Sequence, residues 1–243
     1  MPQYDVRSLN GLKLWLESTK ELAAGSSGSN PFGSWSDQSG AWDASANGAP
    51  DGGRHVAEPD NPNSIPGIVT NAINGRPAVA LIDGNGWIHI ANHPDFSFGT
   101  GDFIMVDVAK VTSGTGSLWL LSPNATGGTQ EVFHPGQLCV SFGFGDDAGC
   151  TGPVYAPTTQ PHVFVARRKG DLFTVRVDGT VRSSLDRSSD PPNIDIPDFK
   201  QPFVFIGNAL TMQLSEVIVV VGPTSDADLG KLEAHLKTKY AIP

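Results

Sequence analysis

The chain has no apolar run long enough to cross a bilayer as a helix. None of its segments approaches the ~18 consecutive apolar residues that such a helix needs. Positive charge is scarce as well. Sixteen basic side chains stand against 25 acidic ones, for a formal net charge of −9 over 243 residues. That balance disfavours sequence-independent binding to nucleic acid or to an anionic membrane. The densest basic cluster, Arg167-Arg168-Lys169, precedes Gly170 and reads as a solvated turn. The opening Met1-Pro2-Gln3-Tyr4-Asp5 has neither the basic nor the apolar stretch of a signal peptide. The expectation is a chain that works without that export route, or one whose leader was removed and replaced by Met.

Cysteine is nearly absent. Cys139 and Cys150 flank the ten residues VSFGFGDDAG, which read as a hairpin tip. Two cysteines across a hairpin can lie at bridging distance. The pair is either a disulfide or two reduced core thiols, and the short spacing favours the disulfide. Such a bridge would contribute ~2–3 kcal/mol and imply an oxidising, extracellular setting.

The catalytic signatures that can be read from spacing are missing too. There is no Gly-x-Ser-x-Gly elbow, no His-Glu-x-x-His, no Cys-x-x-Cys, no phosphate loop and no dinucleotide fingerprint. His89 and His93 have the four-residue spacing of zinc ligands on a helix, but Pro94 argues against a helix there. They read as one strand-end and one loop histidine.

What is plentiful is turn chemistry. Glycine (28) and proline (19) are abundant, charged residues make up only 17%, and apolar runs recur throughout. Many turns between short strands give this profile. Leu12–Glu17 alternates Leu12, Leu14 and Leu16 with Lys13, Trp15 and Glu17, the pattern of a half-buried strand. Gly25–Ser64 reads as a long irregular stretch packed down by Trp35 and Trp42. Strand-like runs follow at Ala78–Ile82, Gly86–Ile90, Phe103–Val111, Ser117–Leu121, Glu131–Phe133 and Leu138–Phe144. Others lie at His162–Arg168, Leu172–Val177, Val181–Leu185, Phe203–Ile206 and Leu214–Val221. Lys169-Gly170-Asp171 and Asp178-Gly179 are turn steps between them. The Pro-rich Ser188–Pro197 marks no domain boundary, so the whole chain, 1–243, reads as one domain. Ser225, with Asp228 three residues on, starts a helix over about 225–240. Its apolar stripe is Leu229, Leu232, Leu236 and Tyr240, which must dock on the strands.

Seven segments, taken in order, resemble one superfamily. They are LKLWLES, WSDQSG at Trp35–Gly40, NGRPAVALIDGNGWIHI at Asn74–Ile90, FSFGTGDFIMVDVAKV at Phe96–Val111, FTVRVDGTV at Phe173–Val181, IGNALTMQLSEVIVV at Ile206–Val220, and the closing SDADLGKLEAHLKTKYAIP. Together they resemble the concanavalin A-like, laminin-G-like jelly rolls, and among these the bacterial and phage-associated LamG-like domains. The ending is the most specific piece. The resemblance implies an all-β, two-sheet antiparallel jelly-roll sandwich with about six or seven strands per sheet and a C-terminal α-helix packed on it.

Fold does not fix function. The β-glucanases of this superfamily carry Glu-x-Asp-x-x-Glu on one strand, where alternate residues share a face. Here Glu216 is the only acid in LSEVIVVV, and Asp102 and Asp107 have opposite-facing spacing, so that mechanism is not expected. Calcium is the cofactor the resemblance suggests. Its candidate ligands are Asp83 and Asn85, Asp146 and Asp147, and Asp178 or Asn208, all of which double as ordinary turn residues. For glycan binding, Trp35 and Trp15 read as core. Trp42, Trp87 and His89 are the candidate ligand-binding residues, and Trp119 is a further possible platform. Ile88 and Ile90 share one face of their strand, which puts Trp87 and His89 on the other.

The first functional expectation is a non-catalytic, lectin-like recognition or adhesion module that binds a glycan or protein outside the cell. The second is a structural subunit of an assembly, such as a virion decoration or tail-associated protein on the virion surface. A polysaccharide-active enzyme comes third.

Overall fold

A computed structural model describes residues 4–25, 31–40, 54–59, 66–82, 87–91, 93–96, 98–121, 130–134, 139–140, 158–186, 188 and 203–243. Among the described residues, fourteen strands precede one α-helix. They are β1 (Leu12–Glu17), β2 (Leu22–Ala24), β3 (Phe32–Ser36), β4 (Val56–Pro59), β5 (Gly67–Ile73), β6 (Arg76–Leu81) and β7 (Ile88–Ala91). After these come β8 (Phe103–Leu121), β9 (Gln130–His134), β10 (Cys139–Val140), β11 (His162–Lys169), β12 (Leu172–Val177), β13 (Thr180–Asp186) and β14 (Phe203–Val221). The helix α1 is Asp226–Lys239.

Two very long strands organise everything. β8 and β14 run antiparallel along their length, and each belongs to both layers of the sandwich. In the first layer the order is β13-β12-β11-β8-β14-β1, using the first half of β8 and the second half of β14. In the second layer it is β10-β9-β8-β14-β7-β4-β3-β2, using their other halves. The β5–β6 hairpin attaches to β14 between β1 and β7. The expected two-sheet antiparallel sandwich with a C-terminal helix is what the chain forms. Two expected pairs of strands, however, are the halves of β8 and β14, and the stretch read as irregular contains β3 and β4.

The first layer is covered on both faces. Phe103, Met105, Phe164, Ala166, Val217 and Val219 point inward, against Trp35, Ile88, Ile90 and Phe96 of the second layer. The alternate residues Ile104, Val106, Val108, Val163, Val165, Ile218 and Val220 point outward under α1. A strand buried on both faces reads as a continuous apolar run, and IVVV is one. This also corrects the half-buried reading of β1. Leu14 and Leu16 face the other sheet, while Trp15 and Glu17 are buried on the helix side.

Local chemistry explains the turns. Gly170-Asp171 links β11 to β12, and Asp178-Gly179, both at positive φ (52° and 86°), links β12 to β13. Asn74-Gly75 (47° and 86°) closes β5–β6 in the same way. Positive φ at both central residues is the type I′ geometry that suits hairpin twist. Asp178 is therefore a turn residue. Its carboxylate accepts from Val163 N–H at 2.9 Å and pairs with His162 Nδ1 at 2.6 Å.

The helix begins as its sequence indicates, with Ser225 Oγ accepting from Asp228 N–H at 3.0 Å. Leu229, Leu232, Leu236 and Tyr240 are all buried. Polar clasps fix its position. Arg167 bonds Asp226 and Thr224 O, Arg176 forks onto Glu233 at 2.8 and 2.9 Å, and Asn74 bonds Tyr240 O. The basic cluster at 167–169 is thus no solvated turn. Arg167 and Arg168 are buried, and Lys169 pairs with Asp226. Among the described residues no helix is long and apolar enough to cross a membrane.

Candidate functional site

The outer edge of β1 is closed by the segment after β3. Asp37 accepts from Trp15 N–H and Ser39 N–H, each at 2.8 Å, and Gln38 N–H bonds Trp15 O at 2.7 Å. This is the structural use of the Trp-Ser-Asp-Gln-Ser stretch. It leaves Trp15 and Glu17 aimed at the end of α1.

Opposite Glu17 on β14 stands Glu216, its direct cross-strand partner. A bulge puts it there. The register shifts between Leu214 and Glu216, so Val217 resumes the inward face after Leu214 and Glu216 turns to the helix side. Bulges re-aim side chains in this way. Were alternation to run on regularly from Leu214 through Ser215, the Glu216 carboxyl would sit between the sheets.

Lys239 of α1 joins the two carboxylates. Its ammonium is 3.1 Å from Glu17 and 2.6 Å from Glu216. Trp15 Nε1–H donates to Glu216 at 2.7 Å, and the Thr19 hydroxyl donates to Glu17. Burial pushes the Glu216 carboxyl up, ahead of opposing pulls from Lys239, Trp15 and Tyr240. Burial also acts to raise Glu17, but the Thr19 hydroxyl, Lys239 and Lys20 outweigh it and hold Glu17 at about 2.

These opposite shifts set a pH dependence. Glu17 stabilises the fold above its unfolded value of 4.5, and that contribution is lost as pH falls toward 2. Glu216 works in the other sense. Its contribution is complete below 4.5 and declines as pH rises through its raised folded value. The melting temperature is therefore expected to peak on the mildly acidic side, with Glu216→Gln flattening the fall at higher pH and leaving the acid limb in place. A wild-type melting temperature that climbs steadily to pH 8 would contradict this.

Above the network lies a cleft of about 410 Å³ lined by Tyr4, Asp5, Val6, Arg7, Trp15, Glu17, Lys20, Arg76, His235 and Lys239. Four of these are cationic, in a chain of net charge −9. The two arginines share one arrangement. Arg7 Nε donates to Gln38 O at 3.1 Å and the guanidinium lies 5.2 Å from the Trp15 ring. Arg76 Nε donates to Lys239 O at 2.9 Å, with its guanidinium 5.4 Å from the Tyr240 ring. Each is thus fixed through Nε and an aromatic face. Among the described residues the terminal nitrogens of both forks bond nothing. Trp15 presents no stacking platform, being 5% exposed with Lys20 also over its ring. Tyr4 and His235, 5.7 Å apart, form the aromatic rim.

A second cluster lies at the start of β1. Asp95, in the short 3₁₀ turn Pro94–Phe96, has Oδ1 2.8 Å from Lys13. Its Oδ2 is 3.1 Å from both His55 Nε2 and His93 Nδ1. Burial acts to raise the Asp95 carboxyl, but His55 and Lys13 outweigh it and hold it at about 2.

The residues expected from sequence are placed as follows. Trp87 and His89 lie together, half-buried, on the outer face of the second layer beside Glu58, across the sandwich from the cleft. Trp35 is fully buried. Trp42, Asp83, Asn85, Asp146, Asp147 and Cys150 lie outside the described residues. So, therefore, do the Cys139–Cys150 pairing and the calcium sets at 83–85 and 146–147. Asn208 and Trp119 are described only as backbone in β14 and β8. Sequence reading missed the cleft, whose signals were a lone Glu in an apolar run and a Lys-Tyr pair ending the helix.

No family model matches the chain, and no curated protein matches it in sequence. Solved structures match its fold. Domain 4 of AbnA, a GH43 extracellular arabinanase from Geobacillus stearothermophilus, solved with arabinotriose, superposes with a TM-score of 0.55 at 11% identity. That match covers 91% of this chain and 98% of the other. The binding domain of botulinum neurotoxin DC, solved with SialylT, gives 0.54 at 8% identity over 96% of this chain and 52% of that one. A Trypanosoma rangeli sialidase mutant displaying trans-sialidase activity gives 0.57 at 13% identity over 95% of this chain. The match spans only 33% of that sialidase. These neighbours are carbohydrate-binding or carbohydrate-active proteins, and at such identities the likeness is one of fold.

Proposed function

We propose that this chain is a laminin-G-like, non-catalytic module that recognises an acidic glycan outside the cell, seated in the cleft between β1, β6 and the end of α1. The observation that carries this reading is the pair of immobilised guanidinium forks, Arg7 and Arg76, with open terminal nitrogens. A planar fork matches a carboxylate or sulfate bidentately, and holding it in advance lowers the ordering cost of binding. The glycan ligands of the AbnA domain and the toxin binding domain support a saccharide as the partner.

A non-catalytic role is supported by the carboxylates themselves. A retaining glycosidase places a sugar between two carboxyls roughly 5 Å apart. Here the Lys239 ammonium occupies the space between Glu17 and Glu216, and Glu216 is fully buried.

An array of neutral, uronate-bearing, sialylated and sulfated glycans, followed by calorimetry on the best binder, tests the reading. Acidic glycans should bind, with affinity falling as salt rises. Arg7→Ala and Arg76→Ala should each weaken binding about 10–100-fold, the loss expected for a charged hydrogen-bonded contact. Binding insensitive to both arginines but lost in Trp87→Ala would move the site to the opposite face. Turnover of any bound polysaccharide would overturn the non-catalytic reading.

A further inference from the structure

We infer that His55, His93 and Asp95 form a binding site for one borderline divalent cation of the Zn²⁺ or Co²⁺ type, separate from the glycan cleft. The three ligand atoms lie within 4.8 Å of one another. Two of the three spacings, His55 Nε2 to Asp95 Oδ2 and His93 Nδ1 to Asp95 Oδ2, are 3.1 Å. Ligands bound tetrahedrally at ~2.0–2.1 Å stand roughly 3.3 Å apart, so little movement is needed to accept an ion. Two imidazoles and one carboxylate suit Zn²⁺ or Co²⁺ better than the all-oxygen shell that calcium requires.

Without an ion the contacts around His93 conflict. Its Nδ1 is 3.2 Å from the Asp95 N–H, which donates to it, and 3.1 Å from Asp95 Oδ2, which can only accept. If Nδ1 carries a proton it opposes the N–H; if it carries a lone pair it opposes the carboxylate. No single protonation state satisfies both neighbours. A cation between Nδ1 and Oδ2 removes the repulsion between those two atoms by taking a lone pair from each, with the Asp95 N–H giving up its acceptor at Nδ1.

The surroundings fit a bound ion. Lys13 holds Oδ1 of Asp95 and so presents Oδ2 to the histidines, the orienting part that outer partners play around metals. His55 is 7% exposed, with its ring held by Phe96 at 4.8 Å. The His93 side chain is 29% exposed, which leaves one side open for a water as fourth ligand. Sequence spacing hid the cluster because His55 and His93 come from different segments and the nearby decoy, His89, faces elsewhere.

The test uses tag-free, chelator-treated full-length protein titrated with Co²⁺ and then Zn²⁺. The expected result is one ion per chain, a visible Co²⁺ absorption of low-symmetry type that Zn²⁺ abolishes, and a melting temperature raised by saturating Zn²⁺. His93→Ala, at the most exposed of the three ligands, should weaken binding at least tenfold, as should Asp95→Asn, while both variants keep a cooperative melt. Should Asp95→Asn fail to fold, His93→Ala alone decides. Absence of saturable one-to-one binding up to 1 mM Zn²⁺, or unchanged affinity in His93→Ala, would overturn the assignment. Glycan binding that persists in His93→Ala leaves the cleft reading standing whichever way the metal result falls.

Discussion

Replacing Lys239 with methionine is expected to destabilise the protein by about 3–5 kcal/mol, the cost typical of stripping a partner from a buried charge. The side chain is 10% exposed, and both carboxylates it bridges are less so, Glu17 at 6% and Glu216 at 0%. With the ammonium gone, two acids face each other across β1 and β14 with Trp15, Thr19 and Lys20 left to compensate. Part of the loss would be recovered by protonation. The defect should therefore shrink as pH is lowered toward 5, and Lys239→Met combined with Glu216→Gln should recover much of it. Urea unfolding of the three variants at pH 5 and 8 measures this. A loss under 1 kcal/mol at pH 8 would mean that water reaches the pair, and the network would not be the buried unit described.

Removing the helix should be more drastic still. A chain ending at Pro223 lacks α1 and uncovers the outer face of the first layer. Ile104, Val106, Val108, Val163, Val165, Ile218 and Val220 are all buried there. Each such side chain is worth ~1.5–3 kcal/mol when fully buried. The sum exceeds about 10 kcal/mol, as large as the whole stability of a typical domain, about 5–15 kcal/mol. The truncated chain is expected to show no cooperative thermal transition and to bind a hydrophobic dye. A truncated protein that melts sharply within a few degrees of the full chain would show that the sandwich stands without its cover.

Those two predictions rest on features that the sequence reveals to different degrees. The helix was legible because its signals are local: a Ser cap, Asp at the third position and an apolar stripe. The hairpin turns at Gly170-Asp171 and Asp178-Gly179 were legible for the same reason. β1 was only half legible. Its leucines announced a strand, but alternation alone could not show that Trp15 and Glu17 meet Lys239 of a helix more than 200 residues later. The Glu17–Lys239–Glu216 network was not legible at all. It depends on cross-strand register and on one bulged residue that reverses the direction of Glu216, and nothing local marks which residue of an apolar run will bulge. The arginines of the cleft were hidden likewise, since Arg7 and Arg76 meet only once β1, β6 and α1 are assembled. Trp87 and His89 did come to one face, as alternation indicated, and the physical reason is simple: Ile88 and Ile90 fill the core.

The pairing of β1 with the last stretch of β14 also bears on how the protein is made. Leu12 sits opposite Val220, so β1 leaves the ribosome well before the strand it pairs with. At ~5–20 residues per second, the interval is about 10–40 s. Throughout that time LKLWLE is an apolar strand with a bare edge, the sort of segment that pairs with a neighbouring chain. Lys13 and Glu17 then serve a purpose that the finished fold conceals. In the nascent chain they are the charges that interrupt a greasy ribbon and discourage it from adding to another; in the mature protein the same two side chains become the partners of Asp95 and Lys239.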